Sequence, residues 1–239
     1  MTKSISQENF AGATKAGASL LSPLERRLAP HLLPLVPLWL GTHHLTLLTL
    51  AWSALTLGCG YLARGDRRWL WGSSLAIVLQ YLTDHLDGKV GKTRGTGLVR
   101  WGFYMDHLLD YVFLCAVLIG YAFILPERTH LGLLLVLAVF AGLMVNSFLM
   151  VAALGRFHIS HFGFGPTEFR LALLIVNTLV FFYGARLMGK ALPYVAAGGL
   201  VALCVLVYRT QREVWRRDME ERRRQEFTAV AVLGQREAA

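Results

Sequence analysis

The chain has 239 residues, 55% of them hydrophobic and only 16% charged, with a mean hydropathy of +0.48. That balance excludes an ordinary soluble domain and fits a single membrane domain with short loops. The formal net charge of +9 leaves anionic headgroups, phosphate-bearing substrates and nucleic acid open as partners, and the placement of the charge must decide among them.

Residues 1–22 are polar and rich in Gly, Ala and Ser, and read as a mobile cytosolic tail without a cleavable signal peptide. Residues 23–44 differ. Glu25-Arg26-Arg27 leads into a leucine-rich run with Trp39, broken by Pro30, Pro34 and Pro37. Three prolines argue against a regular spanning helix, and a basic start with leucines and a tryptophan suits an interfacial segment in the headgroup region. An irregular packed lead-in is the other reading.

Six apolar spans follow within residues 45–208, so the expected fold is all-α: a polytopic integral membrane protein of about six transmembrane helices. Leu45–Ala63, His130–Gly155 and Ala191–Tyr208 are uncharged and long. Trp69–Thr83 is uncharged for only fifteen residues. At 1.5 Å per residue that is ~22 Å, short of a ~30 Å bilayer core. The helix is therefore expected to run on into the polar turn holding Asp84 and Asp87. Asp106 and Asp110 open the third helix, which stays apolar to about Leu125. The fifth span, Leu171–Ala185, is expected to begin earlier and draw in Glu168 and Arg170. Cys59, Cys115 and Cys204 fall singly inside apolar spans and read as packing residues.

Residues 209–239 form a basic tail in which Arg216-Arg217 and Arg222-Arg223-Arg224 mix with acidic residues. Mixed signs directly after a membrane span favour a cytosolic helix near anionic lipid over a nucleic-acid arm. With six crossings, eighteen of the 24 Lys and Arg residues fall on the side of both termini. The bias places the termini and the Asp84–Asp110 stretch in the cytoplasm.

That stretch carries the chemistry. It reads Asp84-His-Leu-Asp87-Gly88, then Gly91-Lys92, nine further residues, and Gly102-Phe-Tyr-Met-Asp106-His107-Leu-Leu-Asp110. Spacings of three and four put each carboxylate pair on one helix face. Two such helices facing each other would gather four carboxylates in one pocket, and such a cluster calls for a positive group between them. Hard oxygen ligands suit Mg²⁺ (or Mn²⁺), as one ion or a pair. Charged helix ends solvated at the membrane surface are the plainer reading. Downstream, Gly165-Pro166 breaks a helix in the polar stretch 156–170, and Thr167 is the expected cap of the next, with Glu168 in its first turn. Asn146 and Asn177 lie inside apolar spans, where helix-to-helix hydrogen bonding is the expected use.

These residues resemble the signature of the CDP-alcohol phosphotransferase family, D-x2-D-G-x2-A-R-x8 or 9-G-x3-D-x3-D. Asp84, Asp87, Gly88, Gly102, Asp106 and Asp110 match it. Gly91-Lys92 stands where the family has Ala-Arg, and the gap to Gly102 is at the long end. The resemblance implies transfer of a substituted phosphate from a CDP-alcohol donor to an alcohol or diacylglycerol acceptor, with release of CMP. It implies Asp84, Asp87, Asp106 and Asp110 as metal ligands for two Mg²⁺ ions, with Asp110 also the base. Gly88, Lys92 and Gly102 would contact the nucleotide, with Arg94 as a substitute fork for the missing arginine. The Asp-His-x-x-Asp form resembles the choline/ethanolamine branch and makes His107 a candidate for acceptor activation. Glu168 and Arg170 are candidate acceptor contacts. Members of the family commonly pair as homodimers.

Two other classes stand beside this reading. A catalytically degenerate relative, kept as a lipid-binding or scaffold protein, draws on the lost arginine. A transporter draws on membrane carboxylates, although these cluster at one membrane face and no internal repeat is evident.

Overall fold

The computed structural model describes residues 14–16, 27, 30–154, 156–158 and 165–237, with side chains described for 27, 30–154 and 165–227. His161 and Gly163 of the polar stretch, and Glu25-Arg26 of the lead-in, lie outside the described residues. Six long helices carry the described chain: α1 (Thr42–Leu62), α2 (Trp69–Arg94), α3 (Val99–Ile124), α4 (His130–Leu154), α5 (Pro166–Tyr183) and α6 (Ala185–Glu237). Each corresponds to one of the six expected spans. Thr14–Ala16 and Arg156–His158 pair as two short parallel strands, which the sequence reading did not anticipate.

Five of the helices, α1, α3, α4, α5 and α6, are long and apolar enough to cross a membrane. The exception is α2, whose second half carries Asp84, Asp87, Lys89, Lys92 and Arg94. It nonetheless runs for 26 residues, or ~39 Å, because the helix begun at Trp69 continues unbroken through the polar residues after Thr83. It stops at Gly95, where φ is +65°, a left-handed cap that glycine adopts without a Cβ clash. Lys92 and Arg94 in its last turn complement the negative end of the helix dipole.

The start of α5 corrects one expectation. The cap is Gly165, not Thr167: Pro166 takes the first helical position, and the Glu168 carboxylate accepts a hydrogen bond from Gly165 N at 2.8 Å. The last helix, α6, is 53 residues long, or ~80 Å, so the basic tail continues the sixth span without a break.

Packing centres on α1, which lies against both α2 and α3, while α2 meets α5 and α6 covers α4 and α5. Thr42, Thr46, Thr49, Ser53, Thr56 and Gly60 line the buried face of α1 at three- and four-residue spacing. Small residues let backbones approach where lipid supplies no hydrophobic drive between helices. The approach is closest at Gly60, where a Cβ would lie 2.5 Å from Gly120 Cα on α3. Apolar side chains from α2 to α6, among them Ile77, Phe113, Val117, Leu133, Leu173 and Leu192, form the main core.

Both apolar-span asparagines bond between helices, as expected. Tyr121 O–H donates to Asn177 Oδ1 at 2.8 Å, and Asn177 Nδ2 donates to Ser74 Oγ at 3.0 Å, joining α3, α5 and α2. Asn146 Nδ2 donates to Thr210 Oγ1 at 3.4 Å, joining α4 to α6.

Candidate active site

Asp84 and Asp87 lie in the second half of α2, and Asp106 and Asp110 in the first half of α3. Asp84, Asp106 and Asp110 converge: each offers a carboxylate oxygen, and the three oxygens lie within 4.8 Å of one another. Three half-buried carboxylates this close repel unless a cation sits among them, so the donor set fits a hard divalent ion. Asp87 lies outside this trio. Its Oδ2 accepts from Thr46 Oγ1 on α1 at 2.8 Å, and its Oδ1 from its neighbour's amide, Gly88 N.

Among the described residues, a cation of the protein's own reaches the cluster. Arg170 on α5 is 7% exposed, and its Nη2 donates to Asp84 Oδ2 at 2.9 Å and to Asp110 Oδ1 at 3.3 Å. Its Nε donates to Gln80 Oε1 at 2.6 Å, and Gln80 Nε2 donates to Asp110 Oδ1 at 3.4 Å. The guanidinium carbon lies 5.9 Å from the Tyr81 ring centroid. Glu168, two residues before Arg170 in the first turn of α5, is buried, and its carboxylate caps Gly165 N.

His107 is held between two aromatic rings, Phe103 at 4.3 Å and Phe148 at 4.9 Å between centroids. Its Nδ1 meets the Phe103 carbonyl at 2.6 Å and lies 3.8 Å from Asp106 Oδ2. A carbonyl only accepts, so Nδ1 carries the proton and Nε2 is the basic atom of the neutral ring. His85 contacts Lys89 Nζ and stacks on Tyr81.

The nucleotide candidates separate. A Cβ placed on Gly88 or Gly102 would meet nothing within 4 Å, so both glycines border open space. Gly91 is the opposite case, since a Cβ there would lie 2.8 Å from Thr42 Oγ1 and 3.0 Å from Gly97 Cα. Packing against the start of α1 thus accounts for glycine where the resembling signature has alanine. Lys92 is exposed. Arg94 turns away from its expected role as a fork: Nη2 donates to the Val36 carbonyl at 2.7 Å and Nη1 to that of Leu40 at 2.9 Å, with Pro37 and Leu38 further off at 3.3 and 3.5 Å.

Sequence reasoning missed Gln80 and the Thr46–Asp87 bond. Gln80 did leave a signal: it is a lone amide in an apolar run, four residues before Asp84 and so on the same helix face.

A family model, CDP-alcohol phosphatidyltransferase, matches residues 35–208. It covers most of the chain, including all four aspartates, and the chain belongs to this family. At that level it is a membrane transferase acting on a CDP-alcohol in phospholipid synthesis. No curated protein matches the chain.

Proposed function

We propose that the chain is a divalent-metal-dependent phosphotransferase that moves a substituted phosphate from a CDP-alcohol to an alcohol acceptor and releases CMP. The observation that carries this reading is the three-carboxylate cluster within 4.8 Å across two facing helices. Asp84, Asp106 and Asp110, completed by Asp87 one turn along α2, would hold Mg²⁺ or Mn²⁺, as one ion or two. When bound, the metal neutralises the donor diphosphate and makes CMP a better leaving group.

The chain's residues supply the rest. Gly88 and Gly102 leave room for the nucleotide to approach the backbone, and Lys92 meets the diphosphate as a point charge. The acceptor's hydroxyl oxygen attacks the phosphorus that carries the substituent, the bond to CMP breaks, and Asp110 takes the hydroxyl proton. Arg170 orients the acceptor from α5. His107, with Nε2 as its basic atom, stands beside Asp106 as a second proton acceptor. The site faces the cytoplasm, in keeping with the Lys and Arg bias.

The test is CMP release by purified chain in lipid with Mg²⁺ or Mn²⁺. One arm holds CDP-diacylglycerol with a pool of small alcohols; the other holds CDP-choline or CDP-ethanolamine with diacylglycerol. The reading expects CMP in one arm, lost in Asp106→Asn, and that arm identifies the donor. Silence in both arms, with nucleotide and metal still bound, favours the degenerate relative. That outcome has an observation behind it, since Lys92 is a point charge and Arg94 is tied to backbone carbonyls. Asp110→Asn should lower turnover by roughly 10²–10⁴-fold; full turnover with metal bound would remove Asp110 from the base role.

A further inference from the structure

Gln80 is fully buried, at 0% exposure, and none of the roles above uses it. Its amide is engaged at both ends, accepting from Arg170 Nε and donating to Asp110 Oδ1. A guanidinium only donates and an ionised carboxylate only accepts, so the amide cannot turn over without losing both bonds. Gln80 therefore fixes Arg170 at its Nε while Nη2 lies between Asp84 and Asp110. Those are two of the three carboxylates that a divalent ion would need.

Arginine keeps its charge when buried, and a buried charge requires partners. The cluster supplies them. A divalent ion on the same carboxylates would stand against a guanidinium in a poorly screened site, where like charges a few ångströms apart repel strongly.

We infer that Gln80 positions Arg170 as the resident counter-ion of the Asp84–Asp106–Asp110 cluster, and that a divalent ion binds there in competition with this guanidinium. The inference rests on the metal reading of the cluster. It orders the events at the site. As the ion enters, Nη2 leaves Asp84 and Asp110 while Nε stays on Gln80, so the guanidinium is released toward the acceptor only in metal-loaded protein.

The experiment is direct Mn²⁺ binding to the full chain in lipid nanodiscs, followed by the electron paramagnetic resonance signal of free Mn²⁺, with neither donor nor acceptor present. Arg170→Gln should tighten Mn²⁺ binding on the order of tenfold, as removal of one nearby positive charge requires. Gln80→Leu, which keeps the bulk and loses both bonds, should tighten it severalfold. The double variant should match Arg170→Gln alone, because Gln80 acts through Arg170. A merely structural role has the opposite sign, since unsupported carboxylates bind the ion more weakly. Weaker or unchanged binding in Arg170→Gln, or additive effects in the double variant, would overturn the inference. If Gln80→Leu does not fold, Gln80→Asn keeps the amide but cannot span both partners, and is read in the same way. A wild-type chain that binds no Mn²⁺ overturns the metal reading itself, a result distinct from equal binding in every variant.

Discussion

The glycines of the Asp84–Asp110 stretch do different work, and substitution separates them. Gly91 is packed against Thr42 and the backbone of Gly97. Gly91→Ala must push helix α2 off the start of α1, at about 1–3 kcal/mol for overpacking. Gly88 borders open space within the same helix. There, alanine should stabilise the helix by up to ~1 kcal/mol, because it restricts the unfolded chain and meets no neighbour. Thermal unfolding in detergent should therefore show Gly91→Ala falling and Gly88→Ala holding or rising. CMP release should fall in Gly88→Ala, whose methyl occupies the nucleotide's space. Unchanged CMP release would take Gly88 out of the nucleotide site.

Helix α2 is the element on which the site depends, and its far end is anchored by Arg94. The prolines keep residues 33–41 from forming a regular α-helix: Leu33–Leu35 makes a single 3₁₀ turn, and the Leu33 and Pro37 carbonyls accept from Val36 N and Leu40 N. The Arg94 fork satisfies those of Val36 and Leu40 most closely. Leu38 and Trp39, 89% and 74% exposed, point away from the protein, as an interfacial segment requires. Arg94→Ala should loosen this segment, with loss of about 1.5–3 kcal/mol for hydrogen bonds to a charged group. Hydrogen exchange over residues 33–41 should accelerate, and Arg94→Lys should not restore protection, because an ammonium lacks the planar fork. Wild-type exchange in Arg94→Ala would show that the segment is held by other contacts.

At the scale of the whole molecule, six crossings would return the chain to the side on which it started, and the Lys and Arg bias would make that side cytoplasmic. In a cysteine-free background, Arg100→Cys should react with a membrane-impermeant maleimide only from the cytoplasmic face. Arg128→Cys, in the turn between α3 and α4, should react only from the opposite face. Labelling of both from one side would break the six-crossing arrangement, and α2, the helix that falls short in apolar length, would be the first to be reassigned.

The six helices, the extension of α2 past Thr83 and the convergence of Asp106 and Asp110 from one face of α3 were legible in the sequence. Each is a local property: apolar run length against bilayer thickness, or a spacing of three and four on one helix. Asp87, expected in the same pocket, is bonded to Thr46 instead. The signature residues also pointed to the family. What was not legible lies between distant segments. Arg170 meets Gln80 across 90 positions, and Thr46 meets Asp87 across 41. Arg94 could be read locally as a free cation near a nucleotide. Only the fold brings the Val36 and Leu40 carbonyls within its reach. Glu168 read as an acceptor contact or a cap, and the buried position of Gly165 N beside it makes the cap. A sequence thus determines which side chains share a helix face, because helical geometry repeats within a few residues. Which helix supplies the partner of each charge is decided by tertiary packing, because those contacts depend on how small residues such as Gly60 and Gly91 let the helices approach.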